Sequence, residues 1–159
     1  PPGVFSEETA QEFIKRGETS LSQGNYDSAI SSYEKALQLS DEKNLDVKLS
    51  ILEKLGSINF RKKNYNEAIR YQKETLELGC KIRGETSVYC GDANKNLGNY
   101  FFKIEETDKA LEAYESSRSI YIKALPAKDA KLGLIASLIG DCHFAKGNFQ
   151  FDRLPYIRV

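Results

Sequence analysis

Apolar and small residues recur along this chain at helical spacing, in blocks separated by short polar turns. Tyr26, Ala29, Ile30, Tyr33, Ala36 and Leu37 share one helix face, and Leu97, Tyr100, Phe101 and Ile104 share another. Leu52, Leu55, Ile58 and Phe60 mark a third helix, and Ala110, Leu111 and Tyr114 a fourth. No proline falls between Gly3 and Leu125, so nothing removes a backbone donor or wedges a turn open over that stretch. Asn64 with Glu67 three residues on has the form of a helix-opening cap, and Thr107 is read as its counterpart one unit later.

The blocks repeat. Gly24-Asn25-Tyr26-Asp27-Ser28-Ala29-Ile30, Lys63-Asn64-Tyr65-Asn66-Glu67-Ala68-Ile69 and Glu105-Glu106-Thr107-Asp108-Lys109-Ala110-Leu111 are versions of one turn and helix start. Gly147-Asn148-Phe149 begins a fourth. A second column, about twelve residues earlier, holds Gly17, Gly56, Gly98 and Gly140, at intervals of 39, 42 and 42 residues (17 to 56, 56 to 98, 98 to 140). Each unit therefore reads as two helices. Small residues in the Gly and Ala columns let their backbones approach, so a tyrosine of one helix packs over a glycine of its partner.

Gly-x-Tyr-x-x-Ala-Ile-x-x-Tyr-x-x-Ala-Leu, at Gly24 through Leu37, resembles the tetratricopeptide repeat. The longer period, the extension Leu78-Gly79-Cys80-Lys81-Ile82-Arg83-Gly84-Glu85-Thr86 and the triplet Leu97-Gly98-Asn99 resemble the long repeats of kinesin light chains and of Leu-Gly-Asn spindle-orientation scaffolds. The resemblance covers residues of about 8 to 149. It implies an all-α, right-handed solenoid of helix-turn-helix units: a single domain over 1–148, with repeats at about 10–43, 49–86 and 91–128 and a capping helix at about 131–147. Residues 149–159 are read as a divergent or disordered tail. Asp152 stands there where the other units have alanine, and Pro155 falls inside the would-be helix. The tail's apolar residues, Phe151, Leu154, Tyr156, Ile157 and Val159, fit a cloning remnant, a divergent native end or a docking segment.

Composition narrows the function. Lys plus Arg equals Asp plus Glu, 23 against 23, so the chain lacks the basic excess expected of a protein that binds phosphate backbones or anionic lipid. No nucleic-acid partner and no membrane insertion are expected, since no apolar run approaches the length of a spanning helix. The three cysteines, Cys80, Cys90 and Cys142, have no paired spacing and are read as reduced thiols of a cytoplasmic protein. With one histidine and no phosphate loop, zinc spacing or nucleophile elbow, no catalytic residue, metal or cofactor is expected. Cys142-His143 is read as a core cysteine beside a packing histidine, because adjacent helical residues point about 100° apart.

The resemblance places the first helix of each unit on a concave face. Its groove candidates are Lys54, Ser57, Arg61, Lys95, Asn96, Asn99 and Lys103, among groove-face neighbours that include Glu53, Asp92 and Asp141. Relatives use asparagines at the places of Asn96 and Asn99 to hold a ligand backbone; otherwise the two are solvated polar residues. Lys54, Arg61, Lys95 and Lys103 favour an acidic peptide, unless the acidic neighbours make this simply a mixed-charge face. Where the chaperone-adapter subclass binds a C-terminal carboxylate, this chain has Ile14, Glu18, Asp92 and Asn96, and the acidic groups would repel one. The expected function is a non-catalytic protein-binding scaffold or adaptor taking a peptide in its groove. Its alternative is self-association or docking through the open stack end and the C-terminal tail.

Overall fold

The structure, a computed structural model, describes residues 8–40 and 43–147. Those residues form seven α-helices and no strand: α1 Ala10–Ser22, α2 Tyr26–Leu39, α3 Leu45–Arg61, α4 Tyr65–Arg83, α5 Val88–Lys103, α6 Thr107–Ala124 and α7 Ala130–Ala145. Each helix packs on the next in chain order. The result is a helical solenoid of three antiparallel pairs, with α7 laid on the last.

The turn inside each unit explains the repeat at the backbone level. Gly24, Lys63, Glu105 and Gly147 all take a left-handed conformation, with φ between 64° and 73°. That single residue reverses the chain between the two helices of a unit, and glycine does it without steric cost. Several caps then satisfy orphan backbone donors. Thr9 and Glu12 form a reciprocal capping box, while Asn25, Asn44, Ser87 and Asp129 each accept a backbone N–H with a side-chain oxygen. The cap expected at Asn64 does not form. The residue stands at the N-cap of α4, but its amide donates to Asn59 Oδ1 at 3.3 Å, and Glu67 is engaged by Arg70. In the third unit Glu106, not Thr107, holds the equivalent place, again without a side-chain cap.

Two apolar clusters run along the stack. One joins Ala29, Tyr33 and Ala36 of α2 to Ile51, Leu52, Leu55 and Ile58 of α3 and Tyr71 of α4. The other joins Leu97 and Phe101 of α5 to Tyr114 and Tyr121 of α6 and to Ile135, Ile139 and Cys142 of α7. Both clusters cross unit boundaries, so each unit buries its apolar face only against its neighbour.

The expectation of reduced thiols fails at two of the three cysteines. Cys80 and Cys90 are joined in a disulfide, with 5.1 Å between their Cα atoms. The cause is the length of α4. It runs on to Arg83, the chain turns back through Gly84, and Cys80 in the last turn of α4 comes to lie beside Cys90 in the first turn of α5. Cys142 remains a free, buried thiol.

Candidate protein-binding face

Tyrosines connect the two helix layers. The rings of Tyr33, Tyr114 and Tyr121 lie against Gly17, Gly98 and Gly91, and that of Tyr89 against Gly79. At Gly79, Gly91 and Gly98 an added Cβ would come within 2.5 Å of the ring. At Tyr114, Tyr121 and Tyr89 the bare backbone beneath the ring lets the hydroxyl reach a side chain of the first-helix layer, whereas the Tyr33 hydroxyl stays buried without a partner among the described residues. Tyr114 donates to Asn99 Oδ1 at 2.8 Å, Tyr121 to Asp92 Oδ1 at 2.5 Å and Tyr89 to Glu53 Oε1. Three acceptors of the first-helix layer are thus held by tyrosine hydroxyls.

The second unit breaks the tyrosine column. Gln72 stands where Tyr33 and Tyr114 stand in the other units, and its buried amide donates to the Ala93 carbonyl at 3.0 Å. No ring covers Gly56; an added Cβ there would meet only ordinary contacts, the nearest at 3.6 Å. A cavity of about 400 Å³ lies at this point, between α3 and α5 and floored by α4. It is lined by Glu53 and Ser57 of α3, Gln72 and Thr75 of α4, and Tyr89, Asp92, Ala93, Asn96 and Tyr100 of α5. Thr75 is 3% exposed, and its hydroxyl has no hydrogen-bond partner among the described residues.

The cavity's two carboxylates differ. Asp92 Oδ1 accepts from Tyr121 and from Lys131 of α7, with the Lys95 ammonium 4.0 Å away. Burial alone would raise the pKa of Asp92, but the hydrogen bonds and charges of these groups outweigh it and hold the carboxyl below its ordinary value. Glu53 accepts from the Tyr89 hydroxyl and forms no ion pair among the described residues. Desolvation, reinforced by that bond to Glu53, pushes the Tyr89 phenol well above its usual range.

Of the residues singled out from sequence, Ser57 and Asn96 meet in this cavity. Asn99 is half-buried and outside the cavity lining, and its oxygen is occupied by Tyr114, which leaves the amide NH2 as the half available to a ligand carbonyl. The basic residues are dispersed. Lys54 lines a separate cavity of about 190 Å³ between α1 and α3, with Glu18, Tyr33 and Ser50 among its walls. Arg61 is the exposed last residue of α3. Lys103 lines a cleft with Phe102, Glu105, Thr107 and Ala145. Lys95 is only 20% exposed and lies beside Asp92. Sequence reasoning missed Gln72, Thr75, Tyr89 and Tyr100. The available signals were the break in the tyrosine column at Gln72 and the pairing of Tyr89 with Gly79.

Cys142 has the environment of a core residue. It is fully buried, and burial together with the Asp141 carboxylate pushes its thiol pKa up, the opposite of an activated nucleophile. At the far end of the stack, α7 presents a face that no described residue covers. Added Cβ atoms on Gly133 and Gly140 would meet nothing within 4 Å, and Leu134 is 49% exposed. The apolar tail expected to act beside this face lies outside the described residues. No described helix is long and apolar enough to cross a membrane.

Paired helices stacked through shared cores, with one left-handed turn residue per unit, define a repeat solenoid of the class that presents side chains along an extended face. Family models described as tetratricopeptide repeat match residues 13–43 and 47–123, together more than half of the chain. The chain belongs to the tetratricopeptide repeat family. Among solved structures it is similar to BtubC (BKLC) from P. vanneervenii, with 25% identity over 89% of this chain and a TM-score of 0.75. MamA is 27% identical over 89% of the chain and 71% of its own length, with a TM-score of 0.64. The N-terminal domain of stress-induced protein-1 from C. elegans, at 21% identity, covers 81% of this chain and 93% of its own length; its TM-score of 0.63 shows the shared fold. The chain spans 57% of the length of BtubC. No curated protein matches it.

Proposed function

We propose that this chain is a non-catalytic scaffold or adaptor module that captures a segment of a partner protein along its first-helix face. Tetratricopeptide repeats are interaction modules, and that coarse role follows from membership of the family. The observation that supports the finer reading is the polar cavity between α3 and α5, whose lining includes Ser57, Asn96 and Thr75, the last with a hydroxyl unpartnered among the described residues. Asn96 offers a donor and an acceptor to the backbone of an extended segment, and Asn99 adds a donor one turn along. Lys54 and Arg61 share the face of α3 with Ser57, and Lys103 shares that of α5 with Asn99, by their three- and four-residue spacing. Acidic side chains of the segment would meet these flanking cations, at positions outside the cavity. The Cys80–Cys90 disulfide removes the ground on which a cytoplasmic location is expected, since such bonds persist in oxidising compartments.

The test is capture from cell extract with the intact chain and with Asn96→Arg. Asn96 is exposed, so the bulky cation obstructs the cavity without disturbing the core. Partners lost with Asn96→Arg, at unchanged helix content by circular dichroism, support the reading. Partners that Asn96→Arg retains and Leu134→Asp loses would defeat it. They would favour docking through the stack end, a second reading that rests on the uncovered Gly133, Gly140 and Leu134 of α7.

A further inference from the structure

We infer that the cavity between α3 and α5 is a subsite for the guanidinium of an arginine in the captured segment, with Glu53 as its counter-charge. This inference rests on the first-helix face being the binding face. The cavity is rich in acceptors and poor in cations: Glu53 and Asp92 line it, and no lysine or arginine does. One oxygen of Glu53 accepts from Tyr89, and no described cation pairs with the carboxylate. Tyr121, Lys131 and, at 4.0 Å, Lys95 all address Oδ1 of Asp92, so this carboxylate is already paired and its Oδ2 adds only a secondary acceptor beside Glu53. At the floor, the buried Thr75 hydroxyl has no partner among the described residues, although a buried hydroxyl left unsatisfied is unfavourable. An unmet acceptor at the bottom and an unpaired carboxylate on the wall call for one ligand carrying several donors and a positive charge.

Guanidinium fits that description. It presents five donors in a rigid plane and no acceptor, so it can bond to the Glu53 carboxylate while leaving further donors for neighbouring oxygens of the lining. Tyr89 and Tyr100 are also in the lining, and aromatic rings attract such a plane, although one face of Tyr100 is already stacked on Phe60 at 4.4 Å. A lysine ammonium is a compact, strongly hydrated point charge without that planar fork, and a carboxylate would be repelled by Glu53 and Asp92. A metal ion is a poorer match, since no group of three or more His, Cys, Asp or Glu side chains gathers here or elsewhere among the described residues.

The experiment selects binders from a random dodecapeptide library displayed on phage, then measures the affinities of synthetic versions by fluorescence anisotropy. The expected pool is enriched in arginine. Replacing that arginine by citrulline, which keeps the shape and loses the charge, weakens binding about tenfold or more, as does Glu53→Gln in the protein. The two changes together weaken binding little beyond either alone, because they remove the same contact. Arginine to lysine in the peptide costs most of the same loss. Thr75→Val weakens binding without lowering the melting temperature of the free protein, since the hydroxyl it removes has no partner there.

Peptides blocked by Asn96→Arg but lacking arginine, or binding equally well with citrulline, would overturn the subsite and leave the binding face intact. Peptides indifferent to Asn96→Arg, or a library without binders, would overturn both.

Discussion

The ring of Tyr114 occupies the space in which a Cβ on Gly98 would stand, 2.5 Å from that position. The two helices of the third unit can approach as they do because residue 98 has no side chain. Gly98→Ala forces either the ring or the backbone of α5 to move and is expected to destabilise the fold by about 1–3 kcal/mol. Gly140 occupies the same column one unit later and meets nothing within 4 Å. Gly140→Ala should gain up to about 1 kcal/mol from helix propensity alone. Urea unfolding of the two variants checks this opposition in sign. A loss at Gly140→Ala would mean that something beyond the described residues covers α7.

Cys80 and Cys90 close a short loop between α4 and α5, with a sequence separation of 10. Loop-closure entropy assigns such a link about 2–3 kcal/mol. The Cys80→Ser/Cys90→Ser double variant should lose roughly that much in non-reducing urea titrations. Dithiothreitol should lower the melting temperature of the parent and leave that of the double variant unchanged.

Lys63 takes φ 65° in a turn where Gly24 and Gly147 perform the same reversal. A left-handed conformation costs a residue with a side chain about 1–2 kcal/mol, part of which glycine returns through its more flexible unfolded state. Lys63→Gly should therefore stabilise the chain by about 0.5–1 kcal/mol, read as a higher urea midpoint at unchanged slope.

Alkaline pH should unfold this protein more steeply than its neutral net charge suggests. Desolvation raises the phenol pKa of Tyr33, Tyr71, Tyr89, Tyr100, Tyr114 and Tyr121, with that of Tyr71 pushed up to about 12. A group whose folded pKa lies above its unfolded value contributes stability below the unfolded value, about 10 for tyrosine, and loses it as pH rises through the folded one. Stability should fall between about pH 10 and 12, with tyrosinate absorbance appearing in step with the loss of helix. Tyrosinate forming well before helix is lost would contradict this.

Much of the architecture was legible because repetition is a strong signal. Gly17, Gly56 and Gly98 recur with their partner helices, and each small residue marks where two backbones meet. The candidate site was legible only in part. Spacing along one helix identifies a shared face, so Ser57 and Asn96 could be named; it does not say what a neighbouring helix brings opposite. Lys54, Arg61 and Lys103 therefore looked like one basic patch, although they stand at three places along the stack. Gln72 was visible as a departure from tyrosine, but the hollow it leaves depends on how α5 of the next unit is laid down. The disulfide was hidden for a related reason, since it depends on how far α4 extends before the chain turns. At Asn64 two local bonds competed, and the amide contact to Asn59 prevailed over the cap.

Because Tyr114 and Tyr121 lie on the bare backbone of Gly98 and Gly91, the wall of the third unit is a single ring thick. A phenol rooted in α6 has its body in the core and its oxygen among the front residues Asp92 and Asn99. Front and back therefore cannot vary independently. Replacing Tyr121 or Tyr114 by phenylalanine would leave the packing nearly intact while releasing a carboxylate or an amide on the opposite surface. The recognition chemistry of the front can be retuned from positions that no partner ever touches.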